Sequence, residues 1–401
     1  MKIIIAVHDL LLEKSHLMPW RTVCDVVMHL RESFHEVTLL SLGSEKKFLE
    51  GTSVPDNTLQ IRKNLKYLDK DLQDIISLTK AEIIFWPVSW RESKKRTQIL
   101  SNLNLPVVAW FPGGVYSFKA VFRAIKVIGL KKSLPYISEI LSSKTKQIKH
   151  FKKCHFDAIL TMTVTTSNSV RQAGWPDEKT YTVMPGKEID NVIQDTVIQL
   201  NPDFLAWLDA EKYYLYMGPP SAIRGIFELL EAFDLAAHLD KNIRLVCLFR
   251  SDAKIDQDLI IKFISKLTSK KRIFCVLKSV ERDELYSYMA NSHAITMPFM
   301  LVPSEIPLAI IEAMAFSIPI ITTSPGGTGD FVSEFGFSPI VGDISGLADV
   351  LYCLANDKKM HDSAILATRE AFSRHPTWPE VANQWYAVAE KVINKDKVKL
   401  N

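Results

Sequence analysis

Residues 303–315 read Pro303-Ser304-Glu305-Ile306-Pro307-Leu308-Ala309-Ile310-Ile311-Glu312-Ala313-Met314-Ala315. A β-rich apolar run at 294–297 precedes them and another at 318–322 follows. Pro307 suits the first turn of a helix, where its missing N–H costs nothing. Strand, loop, helix and strand make the unit of a parallel α/β sheet. A helix start after a strand is a natural anion site. Glu312 falls on that helix beside apolar neighbours, placed to accept hydrogen bonds from two vicinal hydroxyls such as those of a ribose. The plainer alternative has Glu305 capping the helix and Glu312 exposed.

The same unit recurs along the chain. Short apolar runs rich in β-branched residues stand at 3–7, 37–42, 83–88, 107–110, 158–162 and 181–184. They resume at 213–217, 243–249, 273–277, 294–297, 318–322 and 338–341. Helical spacing lies between them, at 23–30 in the first series and at 225–238, 256–269, 282–290 and 307–316 in the second. Near-continuous apolar runs belong to strands buried on both faces, as in parallel sheets covered by helices. Two successive series predict an α/β chain of two doubly wound, Rossmann-like parallel-sheet domains facing a cleft. The first domain is placed at 1–195 and the second at 205–375, with 201–210 as the link. A last helix at 378–393 carries Trp378, Trp385 and Tyr386 and either caps the second domain or returns to the first.

The 401 residues suffice for two or three domains. Apolar residues make up 47% and charged residues 23%, a balance that excludes a disordered chain. No apolar run reaches the ~18 residues of a spanning helix. The apolar start closes at Asp9, too soon for a signal peptide. Five scattered cysteines without a CxxC pair argue against a disulfide framework or a zinc site, and for a reducing, cytoplasmic compartment. A net charge of +4 is too small to imply a nucleic-acid partner.

Ligands of open α/β sheets bind beyond the carboxyl ends of the strands. After 213–217 comes Gly218-Pro219-Pro220-Ser221-Ala222-Ile223-Arg224-Gly225. Gly218 permits a tight turn, and the Arg224 guanidinium beside helix N–H groups suits a diphosphate. The alternative for Arg224 is a solvated side chain. Thr323-Ser324-Pro325-Gly326-Gly327-Thr328-Gly329-Asp330 is either a ligand cradle or an ordinary turn. In the first half, His8 and Asp9 end a strand, and Glu13, His16, Trp20 and Arg21 follow. Phe111-Pro112-Gly113-Gly114 follows a later strand. These loops would form the opposite wall, with His8 either touching a sugar hydroxyl, acting in catalysis or serving structure alone. No Asp-x-Asp metal motif follows a strand in a suitable place.

Charge is unevenly spread. Between 118 and 153 stand ten Lys or Arg, opposed by Glu139 alone. Val121, Phe122, Ile125, Ile128 and Leu130 are interleaved with the first five. This is the composition of an amphipathic helix on an anionic leaflet. The alternative is a solvated helix covering the first sheet.

With these residues in place, the pattern resembles a retaining glycosyltransferase of the GT-B fold, of the family 4 type (glycosyl transferases group 1). Residues 213–225 resemble the family's phosphate loop, with Arg224-Gly225 in place of the usual Lys-Gly. Residues 276–285, which include Val280, resemble the strand, loop and helix near the nucleotide base. Residues 303–315 with Ile318-Pro319-Ile320-Ile321-Thr322-Thr323 are similar to the family's paired-glutamate signature. Family members place the two glutamates eight positions apart. Here Glu305 and Glu312 are seven apart, Ser304 holds the position eight back, and Pro219 stands where an arginine is common. Either Glu305 or Ser304 would then reach the sugar. The last helix, 376–393, is similar to the family's crossover back to the first domain.

The resemblance implies transfer of a hexosyl group from a UDP- or GDP-linked sugar to a saccharide or lipid-linked acceptor, with retention and without a metal or other cofactor. Glu305, Arg224 and His8 would act in catalysis. Gly218, Arg224, Val280, Ser304, Glu305, Pro307, Leu308, Ala309 and Glu312 would hold the donor. His16, Trp20, Arg21, Gly113 and Gly114 would face the acceptor. It also favours a peripheral membrane position through 118–153. Two other classes stay open: a catalytically weakened homologue that binds a nucleotide sugar or partners another transferase, and a nucleotide-sugar epimerase.

Overall fold

The computed structural model describes the chain outside residues 11–14, 16, 50–53, 115, 117, 189–199, 201, 209–211, 250–253, 302–303 and 400–401. It also leaves out the side chains of 123, 124, 126–128, 132, 203, 254–256 and 395–399. Thirteen strands among the described residues form two sheets. The first holds β1 (Lys2–His8), β2 (Glu36–Gly43), β3 (Lys47–Leu49), β4 (Thr58–Arg62), β5 (Ile83–Pro87), β6 (Val107–Trp110), β7 (Ala158–Thr161) and β8 (Thr180–Thr182). Its order is β3-β4-β2-β1-β5-β6-β7-β8, parallel except where β3 runs against β4. The second holds β9 (Lys212–Gly218), β10 (Ile243–Phe249), β11 (Ile273–Val276), β12 (Ala294–Met297) and β13 (Ile320–Thr322). Its order is β11-β10-β9-β12-β13, all parallel.

The run at β1 shows why it is apolar at every position. Ile3, Ile5 and Val7 enter one core, beneath Val23 and Val27 of the Trp20–Glu32 helix. Ile4 and Ala6 enter another, beneath Leu68 and Leu72 of the Leu65–Thr79 helix. Successive side chains of a strand point to opposite faces, so a strand covered on both sides has no polar face. β9 behaves alike, with Tyr213 and Leu215 on one side and Tyr214 and Tyr216 on the other.

The helix Trp378–Lys399 lies against the first sheet. Its Val381, Trp385 and Val388 share a core with Ile5 and Val27, and the Trp385 ring centroid is 4.9 Å from Phe85 and 5.8 Å from Trp110. The chain returns through a bridge between Lys187 and Thr377, beside which His375 Nε2 lies 2.8 Å from the Pro185 carbonyl oxygen. Burial pushes the His375 pKa down to about 4, so at neutral pH the ring is uncharged and its Nε2–H donates to that oxygen.

Two elements differ from the sequence expectation. Residues 338–341 form no strand; only Phe337 bridges Ile321, and Pro339 lacks the N–H a ladder needs. Within 201–210, residues Pro202–Leu208 are helical, and Phe204 is fully buried among Tyr213, Phe274 and Tyr288. That part of the link therefore belongs to the second core. No described helix is long and apolar enough to cross a membrane.

Candidate functional site

The loops at the carboxyl ends of β9, β10, β11 and β12 face Leu17, Met18, Arg21 and residues 186–188 across a cleft of about 640 Å³. This is the crevice a doubly wound sheet leaves beyond its strand ends.

The loop after β9 is shaped by two glycines. Gly218 has φ +141° and Gly225 has φ +74°. At Gly225 a Cβ would stand 1.8 Å from the Pro298 carbonyl oxygen, so only glycine allows the approach. The Ile223 carbonyl accepts the N–H groups of Met300 and Leu301, each at 3.0 Å. Pinned in this way, Arg224 reaches the cleft with its guanidinium carbon 5.3 Å from the Phe299 ring centroid.

After β12 the helix Leu308–Ala315 begins, with Pro307 as its N-cap residue. Leu308 and Ala309 start it at the cleft wall, and Glu312 lines the cleft one turn on. The first N–H groups of a helix lack partners within it. Burial raises the Glu312 pKa above the usual carboxylate value, while the Arg282 and Arg21 guanidinium groups pull it back. On the opposite wall Arg21 hydrogen-bonds Asp25 and Glu188, and its guanidinium carbon lies 5.9 Å from the Trp378 ring centroid. Among the described residues, Arg21, Lys187, Arg224, Lys278 and Arg282 line the cleft against the carboxylates of Glu188 and Glu312. Such a balance favours a diphosphate, with carboxylate oxygens left for hydroxyls.

The cleft gathers Gly218, Arg224, Val280, Ser304, Pro307, Leu308, Ala309, Glu312 and Arg21 from the sequence expectation. His16 lies outside the described residues. Glu305 does not line the cleft. It is 2% exposed, and its carboxylate accepts hydrogen bonds from Thr163 and Thr166, each at 2.7 Å. Of the two residues expected near a sugar, Ser304 is on the cleft wall and Glu305 is not. His8 also stays outside the cleft: burial and then the Arg96 charge push its pKa down to about 4. Trp20 does not line the cleft either; its Nε1–H donates to the His8 carbonyl at 2.8 Å.

Gly113 and Gly114 line a second, smaller cavity of about 220 Å³ with Ser89, Tyr116 and Glu139. Burial raises the Glu139 pKa to about 7, against the opposing charges of Arg91 and Lys144. Sequence reasoning missed Lys187, Glu188, Lys278, Arg282, Tyr286 and Phe299 in the cleft, and Glu139 in the cavity. Arg282 was within reach, since it sits two residues beyond Val280 in the segment 276–285 already singled out by its resemblance. Lys187 carried no signal, because a tertiary contact alone places it: its Nζ donates to the Phe372 carbonyl at 2.7 Å. Among the described residues no group of three or more His, Cys, Asp or Glu is arranged to hold a metal ion.

The basic segment forms the helices Phe118–Ile128, Leu130–Ile140 and Lys144–Lys153. Ala120 and Val121 pack inward on Met300 and Leu301. Phe118, Phe122, Leu130, Leu134 and Leu141 are 53–70% exposed. Lys119 and Lys131 are exposed beside them, whereas the side chains of Arg123, Lys126 and Lys132 lie outside the described residues.

Comparison with known proteins agrees with this architecture. Residues 198–370 match the family model described as glycosyl transferases group 1. No curated protein sequence matches significantly. Among solved structures, the chain is similar to sucrose-phosphate synthase from Thermosynechococcus elongatus, at 14% identity and TM-score 0.70 over 98% of this chain and 100% of that one. A glycosyltransferase from Rickettsia africae follows at 15% identity and TM-score 0.69, covering 98% of each chain. The Anabaena protein HepE in complex with UDP matches at 13% identity and TM-score 0.68, over 98% of this chain and 100% of that one. HepE also matches in its complex with UDP-glucose, at TM-score 0.63. At such identities the likeness speaks for the fold, which is GT-B.

Proposed function

From a glycosyl transferases group 1 domain at residues 198–370 within a GT-B chain, we propose a hexosyltransferase that moves a sugar from a UDP- or GDP-linked donor, with retention and without a metal. The observation that carries this reading is that Arg224, Glu312 and the start of the Leu308–Ala315 helix converge on one cleft. Arg224 and the N–H groups of Leu308 and Ala309 would meet the diphosphate and stabilise the charge that develops as it leaves. Glu312 would accept the ribose hydroxyls, with the base lying near Val280. Ser304 would hold a sugar hydroxyl. Stabilisation of a leaving diphosphate asks for no covalent chemistry from these side chains.

The acceptor, a saccharide or a lipid-linked one, would approach from the first domain. The cavity beside Gly113 and Gly114 supports this, because Ser89 and Glu139 offer hydrogen bonds to a hydroxyl-bearing group. The exposed Phe118, Phe122, Leu130, Leu134 and Leu141 with Lys119 and Lys131 support a peripheral position on an anionic membrane face.

One observation favours a second reading. Ser304 stands where the family resemblance places a carboxylate, and the Glu305 carboxylate is occupied elsewhere. That fits a weakened homologue that binds the nucleotide sugar or partners another transferase. A thermal-shift screen against UDP, GDP, ADP and their glucose conjugates, with and without magnesium, tests both readings. A ligand at a hundred times its Kd stabilises by about 2.7 kcal/mol. A shift with one nucleotide, independent of magnesium, supports the donor site; no shift with any of them rejects it. Donor hydrolysis above background that Glu312→Ala abolishes rejects the weakened homologue.

A further inference from the structure

Glu305 ties the two halves of the molecule together. From the first half, Thr163 Oγ1 donates to Glu305 Oε2 and Thr166 Oγ1 donates to Oε1, both at 2.7 Å. From the second half, the Gly327 N–H reaches Oε1 at 3.3 Å, and Thr328 Oγ1 donates to the Glu305 carbonyl at 2.7 Å. Thr163 also caps the Val164–Gln172 helix, accepting the Thr166 N–H at 3.2 Å. The carboxylate therefore sits at the positive end of a helix that belongs to the other sheet's half. Beside this set, Thr165 hydrogen-bonds Asp330 across the same boundary.

The contact is buried and tight. Thr163, Thr166 and Thr328 are 5%, 0% and 0% exposed. A Cβ on Gly114 would stand 2.2 Å from Glu305 Cγ, so the first half closes over the glutamate stem only because that residue is glycine. A buried carboxylate is tolerated when hydrogen bonds satisfy it, and is costly once they are removed. Two of those bonds come from the first half, so separation of the halves would withdraw them. Neither Glu305 nor the two threonines line the cleft, whereas Ser304, one residue away, does.

We propose that Glu305 is a positioning residue, a latch that couples closure of the two halves to the placement of Ser304 and the helix start at 307–309. The Glu305 carboxylate is spent on the contact between the halves, and Ser304 beside it is left at the cleft. The affinity readout below rests on the nucleotide-sugar reading of the cleft; the scattering and exchange readouts do not.

The test uses the full chain with Thr166→Val, Thr166→Ser, the double variant Thr163→Val/Thr166→Val, and Glu305→Gln. Solution scattering, amide hydrogen exchange and UDP titration are measured on each. The valine variants are expected to show a larger radius of gyration, and exchange at least about tenfold faster at both 163–170 and 326–330. UDP affinity should fall about tenfold although the changed residues do not touch the cleft. Thr166→Ser keeps the hydroxyl and should match the parent chain; Glu305→Gln should fall between. An unchanged radius with exchange altered only in 163–170 would reduce the contact to local packing and overturn the latch. Where the double variant fails to fold, Thr166→Val and Glu305→Gln decide by the same criteria. If the parent chain does not bind UDP, the donor reading fails while scattering and exchange still judge the latch.

Discussion

The Arg282 Nε donates to the Tyr286 hydroxyl at 2.7 Å, one turn along the same helix, and the guanidinium is set against the Glu312 carboxyl on the wall of the cleft. Burial raises the Glu312 pKa and Arg282 opposes that rise. A carboxyl whose pKa is raised is protonated first as pH falls, and loses its capacity to accept two hydroxyls. Arg282→Ala is therefore expected to weaken UDP binding about tenfold at neutral pH, and to shift the acid limb of the affinity profile to higher pH. Tyr286→Phe should leave that limb nearly in place. Calorimetric titration of UDP between about pH 5 and 8 measures both. A profile that does not move in Arg282→Ala separates Arg282 from Glu312.

Arg224 should act on phosphate rather than on base. A charge-assisted hydrogen bond contributes about 1.5–3 kcal/mol, roughly ten- to a hundredfold in affinity. Arg224→Ala is expected to weaken UDP by that factor and uridine by less than about threefold. Equal losses for UDP and uridine would remove Arg224 from the diphosphate site.

The contact where the chain crosses back should give an acid-sensitive stability. His375 is 5% exposed, and its folded pKa is about 4 against 6.5 for the free side chain. Above about pH 6.5 both states are neutral and the Pro185 hydrogen bond contributes fully. As pH falls towards 4 the unfolded chain takes the proton first, so stability drops, by about 2 kcal/mol near pH 5. Urea unfolding at about pH 7 and pH 5 measures the slope, and His375→Gln should remove this share of it. His8 and His293, both held near 4, add slope of the same sign. An identical slope in parent and variant rejects the assignment.

The exposed apolar side chains of the helices Phe118–Ile128 and Leu130–Ile140 should partition onto anionic lipid. Full burial of a Leu or Phe side chain is worth about 1.5–3 kcal/mol. Phe122→Ser with Leu134→Ser is expected to reduce co-sedimentation with phosphatidylglycerol vesicles at least about tenfold, with the melting temperature little changed. Binding that is unaltered, or equal on neutral vesicles, counts against a membrane role for Phe118–Ile128 and Leu130–Ile140.

Parts of this molecule are legible one segment at a time. The apolar runs at β1 and β9, the glycines at 218 and 225, and Pro307 ahead of an apolar helix each state a local backbone requirement. Local requirements are set by neighbouring residues, which a sequence displays in full. The same holds for Arg224 and Glu312, whose distances from a strand end carry them to the cleft. The short β3 and the pair of threonines at 163 and 166 show no such regularity.

The amino-acid sequence by itself determined two parallel-sheet units, a crevice at their strand ends, and one face of that crevice. Apolar runs, helix starts and glycine turns act over a few residues, so the order of residues is enough to establish them. Tertiary structure alone decided which carboxylate faces the cleft. Glu305 and Glu312 are equally acidic in the sequence, but Thr163 and Thr166, about 140 residues away, bind one of them and leave the other on the wall. It also decided that Glu139 borders a cavity while Phe122, Leu130 and Leu134 of the same segment face outward. Burial and charge at those positions come from segments distant in the chain, and only folding brings them into contact.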